Sequence, residues 1–366
     1  MKKTKFICAA LAALLAMSAV SCGSSDSSSE SSSSSEAVSA DAAESSTEET
    51  TQEDTTESPS DDENTSAAPS DDSSGDKADI NNYINTTDVQ PALWKATDPE
   101  TGNELFLMGT IHVLSEDFPG FPDYVTEVYE NSDGVAVEYD SRTLTDMSVL
   151  QELLSYMVYS DGTTIKDHLS EKAYDNGVRM LTNIGSYSSM LDYYCPGLWM
   201  DMINSTALLD LENATEEGVD YRFCDMAEKD GKEIVNIETL KIQADAICGY
   251  SDELASWIFE NTDDPDPAET AENYGGLYDL WAQGKVDDML NFEDEFEDMP
   301  EELQGDKDQY YEYALYGRNK GMADAAESFL KDGKNYFFMV GALHFAGDRG
   351  VDDLLEEKGY TVERLH

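Results

Sequence analysis

Short apolar runs bounded by turn-forming residues recur along the chain from about residue 91. The runs at 92–97 and 104–108 flank a segment rich in Pro, Gly and Asn, so they predict a β-hairpin. Further strands are predicted at 134–140, 233–237, 336–340 and 361–365. Most of the chain between these runs has helical periodicity, and this alternation predicts an α/β fold with a central mixed sheet.

The longest stretch with helical periodicity extends from about 143 to 330. Its predicted helices include 170–181, 198–211 and 240–248. We expect this stretch to be a largely helical insertion that covers or walls a crevice of the sheet. After it, the last two strands and the helix predicted at 349–358 are typical of a βαβ-like unit.

The first twenty-two residues predict a signal peptide and not a membrane span, because a short apolar stretch follows three Lys residues. Ala19-Val20-Ser21-Cys22 resembles a bacterial lipobox, in which the Cys is lipid-modified and becomes the mature N-terminus. The expected protein is therefore extracytoplasmic and anchored to the cell membrane through lipidated Cys22. Cleavage elsewhere would give a secreted protein in which Cys22 is an ordinary thiol.

Residues 23–90 consist mainly of Ser, Thr, Asp, Glu and Ala. Such a segment buries too little apolar surface to offset the entropy of ordering, so it predicts a disordered acidic tether before a folded domain at 91–366. The whole chain carries a formal net charge of −56. This charge excludes nucleic acid as a partner and disfavours anionic lipid headgroups, while most of it serves solubility. The oligomeric state is left open.

Three cysteines, Cys195, Cys224 and Cys248, fall in the predicted folded part, and no C-x-x-C motif occurs. Three cysteines at wide spacing form neither a disulfide framework nor a zinc knuckle. We expect buried thiols, with room for one bridge among them.

Two of the four histidines end the same motif, an apolar run followed by Gly-x-x-His. The motifs are Gly109-Thr110-Ile111-His112 and Gly341-Ala342-Leu343-His344. Each histidine, taken alone, is more typical of a core residue that bonds a backbone carbonyl than of a functional one. The repeated context favours two strand-end loops that form one crevice, where an open α/β sheet binds its ligands.

Glu138 ends another predicted strand, and Glu238 follows a further one as a potential fourth site residue. Two imidazoles and a carboxylate, from His112, His344 and Glu138, suit a divalent metal with an open coordination position. No short-range ligand spacing such as H-E-x-x-H occurs, so a His–Glu acid/base pair without metal is the alternative. Glu138 could also face solvent at the end of its strand.

The remaining histidines, His168 in a polar loop and His366 at the terminus, are expected outside the site.

An ordered set of motifs over about 90–366 resembles the TraB/PrgY/GumN family, which includes the Tiki proteins that cleave and inactivate Wnt. The matching segments are Leu93-Trp94-Lys95, Met108 to Val113, Val137-Glu138, Gly218-Val219-Asp220, Gly231-Lys232, Glu238-Thr239, Gln243, Trp281 to Gly284, Arg318-Asn319 and Val340 to His344, followed by Gly350-Val351, Leu354-Leu355 and Gly359 to Val362. One departure is Lys285, where the family usually has an acidic or polar residue.

The resemblance implies a metal-dependent hydrolase, in the Tiki branch a metallopeptidase, centred on His112, Glu138 and His344. The implied cofactor is a divalent ion, Mn, Co or Zn, and the implied substrate is a peptide or protein. Arg318 matches a family arginine that would face the crevice and stabilise an oxyanion; a helix-surface ion pair is its alternative role. The rival function is a lipoprotein that binds and sequesters a secreted peptide without cleaving it, and a third alternative is an inert remnant of the fold.

Overall fold

The computed structural model describes residues 77–292, 296 and 298–366. The expected signal peptide, the lipidation site Cys22 and the expected tether up to residue 76 lie outside the described residues. Residues 77–90, which we expected to belong to the tether, pack against the domain. Ile80 is only 1% exposed, and the side chain of Asp279 accepts hydrogen bonds from the backbone nitrogens of Asn85 and Thr86. The folded domain therefore begins before residue 91, because this segment carries Ile80, Tyr83 and Ile84, whereas residues 23–76 contain no aromatic residue, Ile or Leu.

The strands of the described residues form a six-stranded sheet and a small two-stranded one. They are β1 (Leu93–Thr97), β2 (Glu104–Thr110), β3 (Leu114–Ser115), β4 (Gly134–Val137), β5 (Ala214–Thr215), β6 (Glu233–Asn236), β7 (Tyr336–Gly341) and β8 (Thr361–Arg364). The large sheet has the order β6-β4-β7-β2-β1-β8, and β3 pairs with β5.

The large sheet is mixed, as the sequence predicts. Strands β6, β4, β7 and β2 are parallel neighbours, and β1 runs antiparallel to both β2 and β8. The predicted hairpin is therefore present as β1 and β2. Every residue of β4 is buried, and so are the first five of β7, as is typical of strands in the parallel part of a sheet.

The helices of the described residues confirm most of the predicted ones. They are α1 (Asp123–Asn131), α2 (Met147–Tyr156), α3 (Ile165–His168), α4 (Glu171–Asn183), α5 (Pro196–Leu209), α6 (Val219–Asp230), α7 (Leu240–Ile247), α8 (Asp252–Asn261), α9 (Pro267–Ala282), α10 (Val286–Phe292), α11 (Gln304–Tyr311), α12 (Gly317–Asp332) and α13 (Val351–Glu357). A π-helical turn at Glu312–Tyr316 joins α11 to α12.

One feature of the topology differs from the expected arrangement. Strand β8 pairs with β1 and not with β7, so the last unit does not form a parallel βαβ pair. The strand predicted at 233–237, within the mainly helical stretch at 143–330, is present as β6 and forms one edge of the sheet. Helices α4, α5 and α8 share a hydrophobic cluster of their own around Trp199 and Phe259.

A disulfide bond joins Cys195, immediately before α5, to Cys248, immediately after α7. Cys224 on α6 is a buried free thiol. None of the helices that the structure describes combines the length and hydrophobicity that a bilayer crossing requires.

Candidate active site

Each of the four parallel strands is followed by a polar residue of the candidate site. His112 follows β2, His344 follows β7, Glu138 follows β4 and Glu238 follows β6. Because the strands are parallel neighbours, their carboxyl ends lie at the same edge of the sheet. The two Gly-x-x-His loops leave from adjacent strands, since Gly109 pairs with Val340 and Thr110 with Gly341.

The glycines of both motifs permit close approach of the backbone. A Cβ atom on Gly109 would lie 2.9 Å from the Cα atom of Ala342, in the other motif. A Cβ atom on Gly341 would lie 3.1 Å from Oε1 of Glu138. Without that atom, the Gly341 nitrogen donates a hydrogen bond of 2.6 Å to the same oxygen. The motif glycines therefore bring the two loops and the Glu138 carboxylate together.

His344 is held in one tautomer by Asn319 on α12. The Asn319 amide nitrogen donates to the carbonyl oxygen of Arg349 at 2.8 Å, so its Oδ1 faces the ring and accepts from Nδ1 of His344 at 2.5 Å. Burial and the nearby positive charge of Arg318 lower the pKa of His344 to about 3, although the Glu138 carboxylate acts in the opposite direction. The ring is neutral, and its unprotonated Nε2 atom lies 3.4 Å from Oε1 of Glu138.

Glu138 is a buried, ionised carboxylate. Burial alone would raise its pKa, but the Arg318 guanidinium, the two histidines and the Gly341 N–H hold this pKa well below the usual range. Oε2 of Glu138 accepts a hydrogen bond from Nη2 of Arg318. Glu138 therefore does not face solvent at its strand end.

Arg318 is engaged by both glutamates and is not directed at open space. Its Nε and Nη2 donate to Glu238 at 3.0 and 2.8 Å, and Nη1 donates to the carbonyl oxygen of Ala314. Gln243 Nε2 donates to Glu238 at 2.5 Å and completes the carboxylate's shell. The sequence interpretation made Arg318 an oxyanion ligand, whereas the geometry makes it the residue that positions Glu138. Its alternative role, a surface ion pair, does not fit a side chain that is buried.

His112 lies at the same sheet edge but is turned to a different carboxylate. Its Nδ1 is 3.2 Å from Oδ1 of Asp220, at the start of α6. Burial would lower its pKa, but the Asp220 and Glu138 carboxylates raise the pKa of His112 to about 9. Gly218 packs against the loop, since a Cβ there would lie 2.5 Å from the Cα atom of His112.

The motifs on these strand ends are also found in known proteins. A family model described as the TraB/PrgY/gumN family matches residues 92–364. The chain belongs to this family. It is 24% identical over 323 residues to the Metalloprotease TIKI2 of Danio rerio, covering 76% of this chain and 62% of that protein. It is 25% identical over 322 residues to the Metalloprotease TIKI homolog of Amphimedon queenslandica, covering 75% and 61%.

The chain thus spans about three-fifths of the length of these two curated relatives. No solved structure matches the chain significantly.

The residues of this family member fit a divalent cation in part. The neutral Nε2 of His344 and Oε1 of Glu138 face each other as two acceptors, and a cation bound by both would satisfy the pair. Nδ1 of His112 faces Asp220, which is the usual arrangement for a histidine whose other nitrogen ligates a metal. Among the residues the structure describes, however, no three or more His, Cys, Asp or Glu side chains are already placed to hold a metal.

Sequence reasoning gave no role to three residues that the site uses. Asn319 orients His344, Asp220 orients His112 and Gln243 supports Glu238. All three stand in the motifs shared with the family, so their presence there was the available signal.

The other singled-out residues lie apart from the site. His168 is partly buried, stacks on Tyr159 and bonds Asp252, and His366 stacks on Tyr124. Lys285 is exposed.

Proposed function

We propose that this protein is an extracytoplasmic, membrane-anchored metal-dependent hydrolase that cleaves peptide bonds. The observation that carries the proposal is the pair of facing acceptors, a neutral His344 Nε2 at 3.4 Å from an ionised Glu138 oxygen. A buried pair of this kind calls for a cation. The metalloprotease names of two relatives support the peptidase class, and the expected signal sequence supports the location.

His344, Glu138 and His112 would hold the ion. The chemistry that such an ion supplies is polarisation of a carbonyl oxygen and a lowered pKa for water. The two imidazole nitrogens and the carboxylate oxygen belong to the donor set that Mn, Co and Zn accept.

The neighbouring side chains keep these donors in the protonation states that binding requires. Oδ1 of Asn319 accepts a hydrogen bond from Nδ1 of His344, so the neutral ring carries no proton on Nε2. Arg318 and the Gly341 N–H keep Glu138 ionised and fix both of its oxygens. His112 must give up a proton to ligate, and Asp220 holds the proton on the opposite nitrogen.

The test combines metal content with turnover. Elemental analysis of the purified protein should find Mn, Co or Zn that His344→Ala removes, while His168→Ala, a histidine outside the site, retains it. Peptide libraries supplied with Mn, Co or Zn and followed by mass spectrometry should show cleavage by wild type and His168→Ala only. Asn319→Ala should lower metal affinity by roughly 10–100-fold, since it releases the tautomer of His344.

Sequestration is the outcome that would replace this proposal. In that case, the wild-type protein would bind a peptide but yield no cleavage product with any of the three metals. A protein with no bound metal and unchanged peptide binding in His344→Ala would likewise contradict the hydrolase assignment.

A further inference from the structure

A second polar cluster is buried on α5, away from the four strand ends. Asp201 and Ser205 are 5% and 2% exposed and lie four residues apart, so their side chains project from the same face of the helix. Oδ2 of Asp201 and Oγ of Ser205 are both buried and have no hydrogen-bond partner in the part of the chain that is described.

Glu216 contributes a third such oxygen from a different element. It directly follows β5, against which α5 packs. Its Oε1 is also buried and lacks a partner among the described residues. Glu216 lies close enough to Asp201 for its charge to disfavour ionisation of the Asp201 carboxyl. Three buried, unsatisfied oxygens are thus carried by α5 and by the residue that follows β5, two elements in contact with each other.

Such an arrangement is costly unless a ligand compensates it. An unpartnered buried hydroxyl or carboxylate loses its hydration without replacement, and two nearby carboxylates also repel each other. Burial, followed by the charge of Glu216, raises the pKa of Asp201 well above its usual value, and burial raises the pKa of Glu216 to about 7. Two occupants relieve both costs: a proton on the carboxylates or a cation between them.

We propose that Asp201, Ser205 and Glu216 provide the protein ligands of a second, oxygen-liganded cation of the Ca²⁺ or Mg²⁺ class. The Ser205 hydroxyl favours a cation over a proton as the occupant. A proton shared by the carboxylates would leave the buried Ser205 oxygen unsatisfied. The set has only oxygen donors, which hard cations prefer, whereas the imidazoles of the candidate active site favour transition metals.

The position of this site implies a structural role. Strand β5 pairs with β3, where Leu114 lies opposite Thr215, and β3 follows His112 by one residue. A cation held between α5 and the end of β5 would therefore brace the loop that carries His112. This inference does not depend on the proposed hydrolase activity.

The decisive experiment is thermal unfolding of the purified protein after chelation, with Ca²⁺ or Mg²⁺ then added back. The Tm of wild type should rise with the logarithm of cation concentration. Asp201→Asn and Glu216→Gln are near-isosteric and should abolish this rise, while Glu217→Gln, an exposed neighbour, should keep it. His344→Ala should also keep it, which separates this site from the proposed active site.

The order of stability of wild type and Asp201→Asn should reverse between chelator and saturating cation. In chelator, Asp201→Asn should unfold at a higher temperature than wild type because it removes a carboxyl group whose ionisation burial disfavours, and in saturating cation it should unfold at a lower one. Terbium luminescence provides an independent measure, with binding by wild type and none by the double variant Asp201→Asn/Glu216→Gln.

Absence of any Ca²⁺, Mg²⁺ or Tb³⁺ effect on wild type would overturn the inference. If the Tm of wild type then fell as the pH rose from about 5 to 7, and Glu216→Gln removed that fall, the carboxylates would hold a proton instead of a cation.

Discussion

Arg318 shows how one residue can determine the charge state of a whole site. It is 7% exposed and donates to both Glu138 and Glu238, so it compensates two buried carboxylates at once. Such a group contributes most visibly when it is removed, because its partners then remain buried and unpaired.

We expect Arg318→Ala to lower the free energy of unfolding by about 3–5 kcal/mol. Adding Glu238→Gln to that variant should restore part of the loss, because one uncompensated carboxylate disappears. Urea denaturation of both variants measures the coupling, and Arg222→Ala, whose side chain bonds a backbone carbonyl and covers Phe118, is the control. If Arg318→Ala kept full stability and lost only turnover, the oxyanion role expected from the sequence would be correct.

Asp352, near the start of α13, gives a pH dependence of known sign. Burial, then the charges of Asp353 and Asp287, raise the pKa of Asp352 to about 6. The native state therefore holds this proton more tightly than the unfolded chain, whose pKa is about 3.9. The stability from this group is complete below about pH 4 and is lost as the pH rises through about 6. The difference in unfolding free energy between wild type and Asp352→Asn, measured from pH 4 to 7, should follow that decline, with Asp348→Asn as the exposed control.

At the scale of elements, the site depends on how closely segments of backbone can approach one another. The start of α6 lies directly against the His112 loop at Gly218, whereas a Cβ atom on Gly321, within α12, would meet open space. The two glycines therefore respond in opposite ways to the same substitution.

Gly218→Ala should displace the His112 loop, lowering both stability and turnover, with a cost of roughly 1–3 kcal/mol for overpacking. Gly321→Ala should stabilise the protein by about 0.5–1 kcal/mol, because alanine is a better helix former. Thermal unfolding and peptide cleavage of the two variants test this contrast. If both substitutions changed stability and turnover in the same way, the His112 loop would be able to shift at little cost to accommodate the added methyl group.

The Cys195–Cys248 disulfide links two helices of the mainly helical region across a sequence separation of 53 residues. By loop-closure entropy, a bridge of that span contributes about 4 kcal/mol, less any strain. The double variant Cys195→Ala/Cys248→Ala should therefore unfold at a clearly lower urea concentration. A reducing agent should destabilise wild type and leave the double variant unchanged; sensitivity of that variant would point to Cys224.

For the whole molecule, the boundary of the folded domain is set by packing and not by composition. Tyr83 lies against Gly275 of α9, whose missing Cβ leaves room for it, and Ile80 is buried beside Ala271 of the same helix. The acidic composition of the preceding residues conceals this short anchoring segment.

A chain that starts at residue 91 should be less stable than one that starts at residue 77. Burial of Ile80 alone is worth about 1.5–3 kcal/mol, which corresponds to several degrees in Tm for a domain of this size. Scanning calorimetry of the two chains and of Ile80→Ala in the longer one measures the effect. Identical Tm values would mean that residues 77–90 do not stabilise the domain and belong to the tether.

The sequence alone determined most of the elements and the positions of the four strand-end residues of the candidate site. The apolar runs identified β2, β4 and β7, because a buried strand needs consecutive apolar residues whatever its neighbours are. Shorter runs identified β1 and the edge strand β6, whose residues are only partly buried or exposed. It also located His112, Glu138, Glu238 and His344, since a polar residue that follows such a run must lie at the strand's end.

Tertiary structure decided which of these residues meet. The placement of β8 beside β1, the engagement of Arg318 by two glutamates and the turn of His112 towards Asp220 join residues far apart in sequence. Local pattern cannot predict such pairs, because residues of several types and positions satisfy the same periodicity. Only the packed chain fixes the distances on which hydrogen bonds and charge compensation depend.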